Sequence, residues 1–263
     1  MAIEAKLIGQ CGLCANIRNL KRSHFDPQAI YRLLRSSNKP IVHLTANVAI
    51  AGDQEIRDYF LCHCCEDLFN KNGEGWVLAN CYRPQRKTFR LQTALRGAQA
   101  VGGSSNFRLY DGSRIPWVDV DKLVYFAVSL FWRAAAHKWR DKIDAITQLD
   151  FGPYLECLRL FLLGQADLPS EVVVMVTVSP SVKPDMSASL PFGSRIGLCH
   201  RYYFEIPGMS FQLLLGKRIP SQLRELCAYR KRRIVVTSIA EARSFQEALK
   251  LRFTAELKGK LKS

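Results

Sequence analysis

Two Cys-x-x-Cys pairs, Cys11-Gly-Leu-Cys14 and Cys62-His-Cys-Cys65, constrain this chain more than any other feature. The turn between paired cysteines aims both sulfurs at one point, and two such pairs present four thiolates to one tetrahedral zinc. Forty-seven residues separate Cys14 from Cys62, more than a short zinc ribbon has, so a helix and a hairpin fit inside the loop. Cys11, Cys14, Cys62 and Cys65 are therefore the expected Zn²⁺ ligands. Cys64 is a spare thiol within the second pair, and the spacing favours Cys62 with Cys65 over His63.

Hydrophobic residues make up 48% of the 263 and charged residues 23%, the balance of a globular protein. The opening residues lack the apolar stretch of a signal peptide. The most apolar helical segment, Leu123 to Ala136, is shorter than a spanning helix needs and already contains Arg133. These readings predict a cytoplasmic protein with no membrane partner, in which nine cysteines serve as metal ligands and buried thiols rather than disulfides.

The formal charge of +15 is unevenly placed: residues 171–263 carry 16 basic against 7 acidic residues. No acid occurs between Glu74 and Asp111, while Arg83, Arg86, Lys87, Arg90, Arg96 and Arg108 accumulate there, interleaved with Tyr82, Phe89 and Phe107. Such a face attracts a polyanion through salt-sensitive phosphate contacts. Nucleic acid is the expected partner, with Arg230, Lys231, Arg232, Arg233 and the C-terminal lysines adding to the face. An acidic protein partner is the alternative.

Asp26-Pro27 is a helix start, and residues 27–35 place Ile30, Leu33 and Leu34 on one face. Residues 41–50 are β-branched and predict a strand; a helix is expected from Cys65 to near Gly73. Gly97 to Asn106 reads as a loop or hinge and divides the chain into a zinc module, 1–96, and a remainder, 97–263. Residues 121–139 form a helix apolar nearly all round, which belongs in a core. A further helix runs from Gly152-Pro153 to Leu163. Strands follow at 171–179, 202–206 and 210–215, the last two joined by a Pro207-Gly208 turn. A short helix near 220–229, a strand at 233–237 and a capping box, Ser238 to Glu241, opening a basic helix complete the reading. The fold class is α+β, with central helices and a mixed α/β, basic C-terminal half.

The order Cys-x-x-Cys, nine residues, His24-x-x-Pro27, then Leu61-Cys62-x-x-Cys65-Glu66 resembles the zinc-bound subset of HNH (ββα-metal) nucleases. The resemblance covers about residues 8–75. It implies a treble-clef zinc scaffold beside a catalytic Mg²⁺ or Mn²⁺, with His24 as the general base that activates water for DNA cleavage. That family usually has an acid immediately before the histidine, where this chain has Ser23, and Asn or His after the last cysteine, where it has Glu66. Glu66, with Asp67 or Asp26, offers oxygen to a hard cation, and a histidine pKa suits a base near neutrality. A catalytically inactive module, kept as a scaffold or as the binding subunit of a larger assembly, is the alternative. Phe131-Trp132-Arg133-Ala134 and Phe151-Gly152-Pro153-Tyr154 resemble segments of uncharacterised bacterial proteins with the same zinc-binding start. Some HNH-like proteins act in bacterial defence against phage, a role this resemblance allows.

Cys81, Cys157, Cys227 and Cys199-His200 read as structural, His43 as a strand residue, and His137 as a helix C-terminal cap. No nucleophile elbow, phosphate loop or dinucleotide fingerprint is present, which removes the common hydrolase and nucleotide-binding classes.

Overall fold

The computed structural model describes residues 7–35, 42–44, 48–51, 55–139, 148–184, 188–239 and 256–259. The first elements are β1 (Leu7–Gln10), β2 (Ile17–His24), α1 (Gln28–Arg35), β3 (Val42–Leu44), β4 (Val48–Ala51), β5 (Arg57–Cys62) and α2 (His63–Phe69). A π-helical turn, Asn70–Glu74, carries α2 directly into α3 (Gly75–Asn80), followed by β6 (Tyr82–Arg83), β7 (Thr88–Phe89) and α4 (Arg90–Gly97). Next come β8 (Gly102–Gly103), β9 (Phe107–Asp111), α5 (Val120–Ala136), α6 (Tyr154–Leu162) and β10 (Val172–Val178). β11 (Ser189–Ile196), β12 (Cys199–Ile206) and β13 (Met209–Leu215) follow. The short helices α7 (Ser221–Glu225) and α8 (Ala228–Lys231) precede β14 (Arg233–Thr237) and β15 (Glu256–Gly259). The class is α+β.

β1, β2 and β5 form a small antiparallel sheet that carries the cysteine pairs. The large sheet has ten strands in the order β15-β4-β3-β11-β12-β13-β10-β14-β9-β8. β10 lies well inside it, antiparallel to β13 and parallel to β14. Its residues alternate between two apolar layers, as a pleated strand must. Val172, Val174, Val176 and Val178 join the main core, while Val173 and Met175 join a smaller cluster with Leu214, Ile219 and Cys227, near α7 and α8.

α5 joins the two sheets. Its Phe126 packs edge-on against Phe204 and Phe211 of the large sheet, and Phe131 against Phe204. Trp132 stacks on Phe60 of β5 and meets Phe69 of α2. One buried cluster therefore runs from Leu13 and Phe25 to Phe204 and Phe211, across the division at residues 96/97.

Several elements differ from the sequence expectation. The strand over 41–50 is two strands, β3 and β4, paired antiparallel. Gly73 does not end its helix, because the lack of a side chain lets the turn press on α5; a Cβ there would lie 2.9 Å from the Phe126 amide nitrogen. The hinge at 97–106 contains β8, which pairs with β9. The 220–229 helix is broken into α7 and α8. The Pro207-Gly208 turn is present, with Gly208 at φ +82° between the paired Ile206 and Met209. The basic helix expected beyond Ser238 and the side chain of His43 lie outside the described residues.

Candidate metal centre and basic face

The β1–β2 connection supplies Cys11 and Cys14; β5 delivers Cys62 at its end, and the first turn of α2 presents Cys65. Tight local geometry shapes the first pair. The Gly12 amide donates to the Phe60 carbonyl at 3.0 Å, and a Cβ on Gly12 would fall 2.0 Å from the Phe60 ring. Ala15 closes the knuckle with φ +60°, its amide donating to the Cys11 carbonyl. The Cys62 amide in turn donates to the Cys11 sulfur at 3.3 Å.

The four sulfurs lie within 4.8 Å of one another, and those of Cys14 and Cys62 are 3.9 Å apart. A disulfide needs about 2.05 Å, whereas the edge of a tetrahedron with 2.3 Å zinc–sulfur bonds is about 3.8 Å. The spacing fits ligands around an ion. Among the described residues this is the only set of three or more His, Cys, Asp or Glu side chains placed to hold one. The thiols also compete for protons. The Cys65 thiol and the Cys14, Cys62 and Leu13 amides stabilise the Cys11 thiolate, pushing Cys11 down and Cys65 up. Cys11, Cys14, Cys62 and Cys65 would hold a cation as thiolates, and its charge would end that competition.

His24 ends β2. Its Nε2 lies 2.9 Å from Glu55, whose other oxygen accepts from Arg35 at 3.1 Å. Burial raises the Glu55 pKa, but the contacts with His24 and Arg35 outweigh it and leave the group below its ordinary value. Ser23, the neighbour of His24, is buried, and its hydroxyl accepts from the Leu61 amide at 3.0 Å. It is spent on pairing β2 with β5. Glu66 faces inward: one oxygen is 4.0 Å from Arg133 and the other is buried with no hydrogen-bond partner. Asp67 turns outward and pairs with His63 at 3.2 Å.

Behind these residues lies a buried charge cluster. The Arg133 side chain is 1% exposed, bonds Glu74 at 2.6 Å and the Phe25 carbonyl at 3.3 Å, and lies over the Phe69 ring. Burial raises the Glu74 pKa and Arg133 opposes the rise, with smaller contributions from the charges of Glu66 and His24. Asp26 is buried beside the same arginine. His137 does sit at the end of α5, but it stacks on Phe60 and pairs with Asp58 at 3.1 Å.

The basic residues divide into two groups. Arg83 donates to the Leu78 carbonyl and Arg96 to that of Pro180. Arg230 donates to the carbonyls of Leu168 and Val172, Lys231 pairs with Glu225, Arg232 with Asp121, and Arg233 with Asp111. Each residue of the 230–233 run thus has a partner in the fold, although Arg230 and Lys231 remain exposed. Arg86 and Lys87, on the β6–β7 turn, are exposed, as are Arg90 and Arg108. Among the described residues no carboxylate pairs with these four.

Sequence reasoning did not find Glu55 or Glu74. Arg133 carried a signal: a cation inside an all-apolar helix needs a buried counterion, and Glu74 supplies it. Glu55 carried none, since it meets His24 only through tertiary contact. Neither family models, nor curated proteins, nor solved structures provide a match to this chain.

Proposed function

We propose that this is a zinc-stabilised nucleic-acid-binding protein whose N-terminal module is an HNH-like, divalent-metal-dependent DNA endonuclease. The observation that carries the reading is the His24–Glu55 pair at the end of the strand that the cysteine cluster anchors. A carboxylate only accepts hydrogen bonds, so Nε2 carries the proton towards Glu55 and Nδ1 is left free to accept one from water. Glu55 then stabilises the imidazolium that forms. The role of the zinc is to fix β2 against α2.

Glu66 would hold the divalent cation through its unpartnered oxygen, and that cation would supply charge stabilisation at the phosphate. Of the other acids, Glu74 and Asp26 already face Arg133, and Asp67 turns outward to His63. That arginine favours the second reading, a binding module that does not cleave. Plasmid cleavage in Mg²⁺ or Mn²⁺ separates the two. We expect His24→Ala to lose about 10²- to 10⁴-fold in rate while keeping its zinc, and Glu66→Ala to require more divalent metal. Equal cleavage by wild type and zinc-replete His24→Ala, or none by either, leaves the scaffold reading.

A further inference from the structure

The sequence places a tryptophan where the backbone favours glycine. The Val118 amide donates to the Ile115 carbonyl at 3.2 Å, closing the turn Ile115-Pro116-Trp117-Val118. Trp117 has φ +59°. Proline second and a positive φ third is the type II pattern, whose third position belongs to glycine or asparagine. A bulky residue there is strained, and such strain persists where function uses it.

The ring does not repay the strain by filling the core, for Trp117 is 50% exposed. It stands at the rim of a cleft of about 760 Å³, between α4 and the 111–117 segment, lined also by Thr93, Gln99, Asp111 and Arg114. The Arg90 guanidinium lies 5.3 Å over the indole, and Trp76 supports it at 6.4 Å. Arg90 belongs to the acid-free run and has no carboxylate partner among the described residues. Arg114 is largely exposed, with Asp111 at 3.4 Å. An exposed indole, the unneutralised Arg90 guanidinium, the solvent-facing Arg114 and an open cleft together match a flat π surface joined to phosphates.

We infer that this cleft seats one unpaired base of a nucleic-acid strand, stacked on Trp117, with Arg90 and Arg114 on the flanking phosphates. The inference rests on the nucleic-acid reading above and narrows it to a single-stranded segment. Every base has a π face, so the site is blind to sequence. A duplex keeps its bases stacked inside and cannot fill it.

Fluorescence anisotropy with an oligothymidylate of about 16 nucleotides, and with a duplex of equal length, tests the site. Trp117→Gly relieves the turn, so its melting temperature should hold or rise. Its single-strand affinity should fall about 5- to 100-fold, with duplex affinity and salt slope unchanged. Trp117→Phe, which keeps a stacking face, should retain most of the affinity. If Trp117→Gly binds the single strand like wild type, or the Phe variant loses as much as the Gly variant, the stacking site falls while the nucleic-acid reading stands. If wild type binds neither probe at low salt, both fall.

Discussion

Asp26 shows how much a single buried carboxyl can shape behaviour. It is 6% exposed, and burial pushes its pKa up to about 7; Arg133 opposes the shift and Glu74 adds to it. The unfolded chain loses this proton near the ordinary value of 3.8. Between those two values the native state binds a proton that the unfolded state has released. Stability therefore falls as pH rises through the window from about 4 to about 7, and levels off above it. Asp26→Asn keeps the shape and removes the titration. We expect the variant to gain on wild type between pH 5 and pH 8 by about 1–2 kcal/mol in thermal melts of metal-loaded protein. That is less than the full shift implies, because pH 5 already lies above the ordinary carboxyl value. A stability difference that does not change with pH would mean that Asp26 is ionised throughout. At this scale the cysteines were legible, because paired spacing is itself a geometric statement. The partner of His24 was not, because Glu55 is 31 positions away and meets it only once β2 and β5 pair.

At the scale of elements, legibility followed burial on both faces. β10 was readable as an unbroken apolar run because each of its faces meets a core. The β12–β13 hairpin was readable from its Pro-Gly turn, and α5 from apolar residues all round. What could not be read were features set by a neighbour. Gly73 has the composition of a helix stop, yet the helical path continues through it because α5 sits against its bare Cα. β11, with few β-formers at Gly193, Ser194 and Arg195, owes its existence to antiparallel pairing with β12. Two glycines make the distinction measurable. Alanine at a helical glycine normally gains up to about 1 kcal/mol. Gly97, at the end of α4, has nothing within 4 Å of its would-be Cβ, so Gly97→Ala should be neutral or stabilising. Gly73→Ala meets main-chain atoms of Phe126 at 2.9 and 3.0 Å, and neither helix can yield cheaply. It should cost about 1–2 kcal/mol net in urea melts, with an unchanged m-value. Equal effects at the two sites would remove the close approach of α5 as the reason for glycine.

For the whole molecule, the question is whether the metal site belongs to a separable module. A tetrathiolate zinc site contributes on the order of ten kcal/mol, comparable to the roughly 5–15 kcal/mol that holds a typical domain together. If 1–96 folded alone, losing the metal would unfold that part and spare the ten-stranded sheet. The contacts argue otherwise. Arg159 of α6 donates to the Leu13 carbonyl at 2.7 Å, within the first cysteine loop, and Arg133 bonds the Phe25 carbonyl and Glu74. Trp132 and Phe131, neighbours on α5, serve the small sheet and the large sheet respectively. Taking away the cysteine region would leave Arg133 charged and without its carboxylate inside an otherwise apolar helix, a loss of several kcal/mol by itself. We therefore expect Cys62→Ser, or chelation of wild type, to remove the metal and unfold the chain in one transition. Tryptophan fluorescence, to which Trp132 and Trp139 near β5 contribute with Trp76 and Trp117, should then coincide with the far-ultraviolet signal of the whole chain across a chelator titration. A far-ultraviolet signal that outlasts the tryptophan change would divide the chain near residue 96 and make α5 part of the surviving unit.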